Sequence, residues 1–161
     1  MNRVFFRAEE VSLPLWTRRA DVFIRKVLDM LGHRNWELSV LFCNNRYIKS
    51  LNARYRNRDE PTDVLSFPLG PGCDTVSRKC PHRFGRVFLA GDLVVSLDAL
   101  EENARFFKVP EDEELRRLLV HGILHLSGED HVSNKAGEPM LKKQEEILTA
   151  LAGERIQEHA P

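Results

Sequence analysis

The sequence predicts an α+β fold in which a small mixed β-sheet of about four strands packs with about five helices. Strand-like and helix-like segments follow one another without strict alternation, and we find no internal repeat. Apolar residues make up 42% and charged residues 30% of the 161-residue chain, an ordinary composition for a globular domain of one core. We therefore expect a single domain over residues 1–155, followed by a polar tail at 156–161 that frays.

Four segments in the first third of the chain carry the periodicities of strands and helices. A glycine, Gly32, is placed to stop the first helix, and Asn44 or Asn45 can cap the second. In order, we expect a strand at 3–8, a helix at 15–31, a strand at 36–43 and a helix at 46–56.

The rest of the chain predicts two strands and three helices. A short strand within 60–68 ends at Pro68, because proline cannot extend a central strand. The glycine-, proline- and charge-rich stretch 70–86 favours an exposed loop or an extended hairpin. The remaining elements are a strand at 87–96 interrupted near Gly91, a helix at 97–109, a helix from Pro110 that stops at Gly128, and a helix at about 136–152.

Charge and cysteine content limit the possible function classes. The 24 basic and 24 acidic residues cancel, but residues 1–60 hold 12 Lys and Arg against 7 Asp and Glu. This surplus includes Arg54, Arg56 and Arg58, so it indicates a local site for an anion and not a broad nucleic-acid surface. Three irregularly spaced cysteines, and no signal peptide or apolar span, predict a cytoplasmic protein without a membrane segment.

Three histidines lie within the eleven residues "HGILHLSGEDH" at 121–131. His121 and His125 are one turn apart on the same helix face, and a left-handed Gly128 would end the helix and let His131 return toward them. Three imidazoles with a fourth position left to water are typical of a catalytic zinc site. The alternative is that these are ordinary core or surface histidines that happen to be close.

The spacing of the histidines is shared with the metzincin peptidases, in which a glutamate after the first histidine is the general base. Here that position is Gly122, which has no side chain. This argues against proteolysis unless Glu129 or Asp130 substitutes for the missing carboxylate, and Asp130 could instead orient an imidazole. A glycine inside a helix costs about 1 kcal/mol relative to alanine, which suggests that something approaches closely at Gly122.

Three motifs in order resemble the YbeY-type bacterial endoribonucleases, or ribosomal RNA maturation factors. They are "LNARYRNRDEPTDVLSFP" at 51–68, "GDLVVS" at 91–96 and "HGILHLSGEDH". The resemblance implies a zinc-dependent nuclease domain with one Zn²⁺ held by His121, His125 and His131. It further implies cleavage of single-stranded RNA at the 3′ end of 16S ribosomal RNA, a part in ribosome quality control, and partners in the small ribosomal subunit and its proteins.

The resemblance also places the family's important arginine at Arg56, after Tyr55. A guanidinium there can hold two phosphate oxygens and stabilise charge that grows in the transition state. Without the resemblance, a solvated arginine at a helix end beside Arg54 and Arg58 is an equal interpretation. No general base is assigned.

Several residues depart from the family pattern or carry other expectations. The family usually has an aromatic residue at Glu129, so we expect local substrate contacts to differ there. A second metal site at Cys73, Cys80 and His82 is less favoured than a flexible loop. For Asp63 and Ser66 we favour hydrogen bonding at a turn and a strand end over catalysis, and Asp92 is a candidate cleft residue without an assigned role.

Two other functions remain open from the sequence. One is a peptidase-type metallohydrolase, based on the shared histidine spacing. The other is a ribosome-assembly binding module whose metal is structural, which predicts a closed shell of four ligands.

Overall fold

The computed structural model describes residues 1–69, 83–84 and 87–158, which form a mixed sheet and five helices. The predicted α+β class is confirmed, and the sheet gains a fifth, two-residue strand. The elements are β1 (Arg3–Ala8), α1 (Thr17–Met30), β2 (Trp36–Cys43), α2 (Asn45–Arg56), β3 (Val64–Pro68), β4 (Arg83–Phe84), β5 (Val87–Ser96), α3 (Leu97–Phe107), α4 (Glu111–Leu126) and α5 (Pro139–Ala150).

The helix ends follow the signals in the sequence. Asn44 is the N-cap of α2, and its side-chain oxygen accepts a hydrogen bond from the Tyr47 N–H at 2.9 Å. Gly32 has φ +75° just beyond α1, as expected of a helix stop. The candidate metal site involving Cys73, Cys80 and His82 lies outside the described residues. Within the 70–86 stretch, Arg83–Phe84 pairs antiparallel with β5, as an extended hairpin would.

The main strands lie in the order β1-β2-β5-β3. β1 and β2 pair in parallel, as do β2 and β5, whereas β3 pairs antiparallel with β5. The register between β2 and β5 skips Ala90, which forms a bulge next to Gly91. Gly91 has φ +134°, and a Cβ there would lie 2.2 Å from the Phe67 carbonyl oxygen, so the expected interruption is a close approach of two strands.

The sheet is covered on both faces. Leu93 and Val95 of β5 pack in the main core with α1, α4 and α5, whereas Val94 packs with Ile48 of α2 on the other face. α4 is the most enclosed helix, because even charged residues in its first turns are buried. Its last turns lie beside β3, and this places the residues of the motif "HGILHLSGEDH" at the edge of the sheet.

Gly122 lies in close contact with the sheet. A Cβ there would lie 2.8 Å from Cδ2 of Leu93 and 3.4 Å from Oγ of Ser66. The Ser66 hydroxyl donates to the Gly122 carbonyl at 3.3 Å. The glycine in the helix interior therefore allows the close packing that the sequence suggested.

The beginning of the C-terminal tail is docked, contrary to the expectation that it frays from residue 156. Ile156 is fully buried. The backbone N–H groups of Ile156 and Gln157 both donate to Oδ1 of Asp112 at 2.7 Å. A polar local sequence predicted fraying, but one apolar side chain and a buried acceptor on α4 hold this segment. Among the described residues, no helix is long and apolar enough to span a bilayer.

Candidate metal centre and cleft

The last turn of α4 ends in a Schellman motif that redirects the chain. Gly128 has φ +89°, its N–H donates to the His125 carbonyl at 3.0 Å, and the Glu129 N–H donates to the Leu124 carbonyl at 3.0 Å. These are the two hydrogen bonds that define the motif. The prediction that the helix stops at Gly128 is confirmed, and the reversal brings His131 back beside His121.

The structure brings the three predicted histidines together. Nε2 of His121 and Nε2 of His125 are 3.1 Å apart, and the ring of His131 has its centroid 5.1 and 5.4 Å from those of His121 and His125. One ring nitrogen from each residue lies within 4.8 Å of the others, a spacing that could hold a metal ion. All three rings are partly buried.

Each Nδ1 of the triad has a hydrogen-bond acceptor on the side away from the other rings. His121 Nδ1 lies 2.9 Å from Oε1 of Gln144, His125 Nδ1 lies 3.1 Å from the Glu129 carbonyl, and His131 Nδ1 lies 3.0 Å from the Ser133 carbonyl. A carbonyl oxygen can only accept, so Nδ1 of His125 and of His131 carries the hydrogen. In the neutral rings Nε2 is then a bare lone pair, so lone pairs converge on one point. Such a group suits a cation.

Burial favours the neutral rings that ligation needs. It lowers the pKa of His121, and the nearby His131 lowers it further, against the opposing effect of Gln144. Burial also lowers the pKa of His125, with His121 adding to the effect. The imidazoles of His121 and His125 therefore remain unprotonated to a lower pH than free histidine.

The triad lies in an open cleft of about 880 Å³ along the outer edge of β3. Arg56, the last residue of α2, lines the same cleft. Its Nη2 donates to the Ser66 carbonyl at 2.8 Å, and its guanidinium carbon lies 5.8 Å from the centre of the Phe67 ring. The remaining NH groups of the guanidinium are available for a ligand.

The two arginines on either side of Arg56 lie in different places, and the sequence did not predict which of them lines the cleft. Arg58 also lines the cleft, within 3.9 Å of a Glu60 carboxylate oxygen, although sequence reasoning did not select it. Arg54 lies over the ring of Tyr55, at 5.3 Å from its centre, and is not part of the lining. The periodicity of a helix cannot distinguish them, because Arg58 lies beyond the left-handed Asn57 that ends α2.

Glu129 and Asp130 have different environments beside the triad. The Glu129 carboxylate accepts from Nζ of Lys143 at 2.8 Å, so its charge is paired. Asp130 is 88% exposed, and its Oδ1 accepts from the N–H of His131 at 2.8 Å while lying 4.0 Å from Nδ1 of His125. The carbonyl of Glu129, and not the carboxylate of Asp130, is thus the hydrogen-bond partner of His125.

The three other polar candidates have the structural contacts expected of them or lie away from the site. Asp63 accepts from the Val64 N–H at 2.8 Å and from Nδ2 of Asn103 at 3.0 Å, and it lines the cleft. Ser66 ties β3 to α4 through Gly122. Asp92 accepts from the Ser39 hydroxyl and is not part of the cleft lining.

Sequence reasoning missed Gln144, which lies 23 residues beyond its partner His121. Gln144 is 5% exposed on the face of α5 that also buries Met140, Ile147 and Leu148. A polar residue in such an apolar stripe was the available signal, because buried amides need partners. The sequence alone does not identify His121 as the hydrogen-bond partner of Gln144.

A family model described as Endoribonuclease YbeY matches residues 6–152, which is most of the chain. The chain belongs to the YbeY endoribonuclease family. The resemblance seen in the sequence motifs is thereby confirmed, and the family is one of hydrolases that act on RNA phosphodiester bonds.

Individual YbeY relatives agree over nearly the whole chain. Endoribonuclease YbeY of Treponema denticola is 48% identical over 130 residues, covering 81% of this chain and 80% of the relative. Endoribonuclease YbeY of Treponema pallidum is 42% identical over 149 residues, covering 92% and 89%. The solution structure of TM1509 from Thermotoga maritima matches with a TM-score of 0.60 at 24% identity, covering 98% and 97%, and supports the fold.

Proposed function

We propose that this protein is a zinc-dependent, single-strand-specific endoribonuclease that matures the 3′ end of 16S ribosomal RNA and takes part in ribosome quality control. Its partners would be ribosomal RNA and the small ribosomal subunit with its proteins, in the cytoplasm. The observation that carries the proposal is the convergence of three imidazole lone pairs beside Arg56 in one open cleft.

The donor set fits one zinc ion held by His121, His125 and His131. Two imidazole nitrogens bound to tetrahedral zinc lie roughly 3.4 Å apart, close to the 3.1 Å between Nε2 of His121 and of His125. In the part of the chain that the structure describes, no fourth His, Cys, Asp or Glu joins the group. This favours a catalytic site with an open position over the closed shell of a structural metal. A zinc ion at such a site acts as a Lewis acid on a phosphoryl oxygen and acidifies water.

Arg56 would hold the scissile phosphodiester. One amino group of its guanidinium is fixed by the Ser66 carbonyl, and the Phe67 ring lies beneath the charge. This leaves a preoriented cation that loses little freedom when it binds phosphate. Preoriented donors of this kind stabilise negative charge that develops on the phosphoryl oxygens.

The chain departs from the peptidases that share the histidine spacing. There is no side chain at Gly122 and no room for one, because Leu93 and Ser66 fill the space where it would begin. A general base of the peptidase kind therefore has no place on the helix. We expect no cleavage of a broad peptide library by the zinc-loaded protein.

The test compares cleavage of single-stranded and duplex RNA by zinc-loaded protein, by chelated protein and by chelated protein reloaded with zinc. We expect cleavage of the single strand alone, its loss on chelation and its return with zinc. Arg56→Ala should lower kcat/KM by on the order of 100-fold. The matched control is Arg54→Ala, which removes the same charge from the same helix outside the cleft and should change kcat/KM less than about threefold. Activity that survives chelation, or equal losses in the two variants, would contradict the proposal.

A further inference from the structure

A second cavity of about 660 Å³ adjoins the triad. It shares His121, His131 and Asp63 with the first cleft, whereas Arg56 and His125 line the first cleft only. Its volume lies within the range of small-molecule sites. A ligand that reached the triad through the first cleft would therefore meet this second space directly beside the two shared histidines.

One wall of the cavity is an exposed aromatic ring. Phe107, the last residue of α3, is 59% exposed and lines the cavity. Asn103 lies four residues earlier on the same helix and lines the same cavity. A ring and an amide are thus presented together. Exposed aromatic faces next to polar groups are what proteins use to bind the bases of single-stranded nucleic acids.

The charges of this cavity do not suit a phosphate. Asp63 and Glu114 contribute carboxylates, and the single arginine of the lining, Arg117, already lies within 4.0 Å of carboxylate oxygens of Glu113, Glu114 and Glu145. A neutral group is therefore preferred there over an anion. The first cleft, in contrast, offers the guanidinium of Arg56.

Hydrogen-bonding groups suited to a base edge complete the lining. Amides are present at Asn103, Asn134 and Gln144, together with the carboxylate of Asp63. Nδ2 of Asn103 already donates to Asp63 and Glu114, and Oε1 of Gln144 contacts His121, so the Asn134 amide, the Asn103 carbonyl and the Gln144 amino group are the groups left for a base. Amides both donate and accept, and carboxylates accept from exocyclic amino groups. Nucleobases carry such groups on their edges, whereas their faces stack on aromatic rings.

We propose that this cavity binds one nucleobase of the RNA substrate, stacked on Phe107, while Arg56 holds a phosphate in the first cleft. The inference rests on the proposed ribonuclease function and adds a base-binding subsite to it. Stacking needs an unpaired base, so the subsite also accounts for a preference for single strands. It is tolerant of sequence, because every base has a face that can stack.

The experiment uses zinc-loaded protein and a single-stranded RNA that the wild type cleaves at one position. Phe107→Ala should lower kcat/KM by about 5- to 150-fold, the usual effect of losing one stacked base. Phe107→Tyr keeps the ring and should stay within about threefold of wild type. The matched control is Phe5→Ala, which removes a ring that is 51% exposed on β1 and outside the cavity lining, and it should also stay within threefold.

A series of the same RNA with a single abasic residue at each position locates the base. At one position near the cleavage site the wild type should fall to the rate of Phe107→Ala, and the variant should fall no further. The inference is overturned if Phe107→Ala cleaves as the wild type does, or if every abasic substitution lowers the rates of both proteins equally. The latter outcome would assign Phe107 a structural role or a role in contact with another protein.

Failure of the proposed function gives a different result. If the wild type cleaves no RNA, equilibrium binding of the fluorescently labelled RNA series to the same proteins is measured by anisotropy. Loss of binding in Phe107→Ala and at one abasic position would support the base subsite without the nuclease. RNA affinity that is unchanged both in Phe107→Ala and at every abasic position would overturn the proposed base subsite.

Discussion

His33 and the histidine triad lie near the same end of α4 and differ in where their ring nitrogens point. The His33 ring stacks on Trp36 with centroids 3.7 Å apart, and its Nε2 lies 2.9 Å from the hydroxyl oxygen of Ser127. Each Nδ1 of the triad has a partner in the fold, whereas Nε2 of His121 and Nε2 of His125 lie 3.1 Å from each other. Both environments are partly buried, and burial lowers the pKa of His33, of His121 and of His125. A histidine that stacks on a neighbouring ring and contacts a helix end is structural, whereas three histidines with one ring nitrogen each within 4.8 Å of the others can share a ligand.

The largest expected difference between these histidines is in metal binding. His125→Ala removes one of three converging lone pairs, so zinc affinity should fall by more than the roughly 100-fold cost of losing an outer partner. His33→Ala is the matched control and should leave affinity within about threefold of wild type. Competition with a chromophoric chelator measures both values. Equal zinc affinity in His125→Ala and the wild type would contradict the inference that the triad, unlike His33, binds a metal.

Asp112 is the extreme case of a polar group whose partners all lie within the chain. Its side chain is 1% exposed, Oδ1 accepts from two backbone N–H groups, and Oδ2 accepts from Nε of Arg116 at 2.9 Å. Asp112→Ala leaves a buried arginine without its partner, so the free energy of unfolding should fall by about 3–5 kcal/mol. Urea unfolding measures this loss.

The matched control for Asp112 is Glu101→Ala. Glu101 also pairs with an arginine four residues later, Arg105, but on the exposed face of α3. Its loss should cost at most about 1 kcal/mol. Similar costs in the two variants would mean that burial of the Asp112 pair does not determine its contribution.

Gln144 tests whether the outer hydrogen bond orients a triad imidazole. Gln144→Leu removes the acceptor for Nδ1 of His121 and should weaken zinc binding by about 10- to 100-fold. Gln144→Glu keeps an acceptor at the same place and should restore affinity to within about threefold. A purely structural role predicts that the unfolding free energy changes in Gln144→Leu while zinc affinity does not, and the two measurements separate these cases.

The smallest effect is the pH dependence from His33. Burial, with a smaller contribution from nearby Lys143, lowers the pKa of His33 from 6.5 to about 4 in the folded protein. His33 therefore binds a proton below pH 6.5 in the unfolded chain but only below about pH 4 in the folded chain. The neutral, buried His33 ring thus contributes stability that is fully present above pH 6.5 and is lost as the pH falls toward 4. Between pH 7 and 5 the loss should be about 1–2 kcal/mol after allowance for solvent screening.

The measurement is urea unfolding of the chelated protein between pH 7 and 5. Zinc is removed because its release at low pH would add to the pH dependence of the unfolding free energy. His33→Gln is the control, and its stability should fall less steeply over the same pH range. The other histidines titrate in both proteins, so the difference between the two slopes isolates His33. Parallel slopes would contradict the lowered pKa.

Local chemistry made much of the site predictable from the sequence. The one-turn spacing of His121 and His125 and the left-handed preference of Gly128 are properties of short segments, and both behave as expected. The shared cleft with Arg56 was expected from the motif resemblance. The packing reason for Gly122 was also foreseen in kind, although not the identity of Leu93 as the neighbour.

The unpredicted features depend on contacts between distant segments. Gln144 became a partner of His121 only when α5 packed beside α4. The polar residues around Ile156 predicted solvent exposure. The acceptor that holds this segment, Asp112, is on another helix and was therefore not visible in the local sequence. At Gly91 the sequence predicted an interruption of β5, but it did not predict that the Phe67 carbonyl on the neighbouring strand causes it.

The docking of Ile156 on Asp112 has a consequence for synthesis of the chain. Asp112 precedes Ile156 by 44 residues, so the helix that carries His121 and His125 is made well before the segment that completes its first turn. At translation rates of about 5–20 residues per second, this interval lasts roughly 2–9 seconds. During that time Asp112 lacks two of its donors, so the first turn of the helix is not yet held by the later segment. We expect α4 to reach its full protection only after residue 156 has left the ribosome.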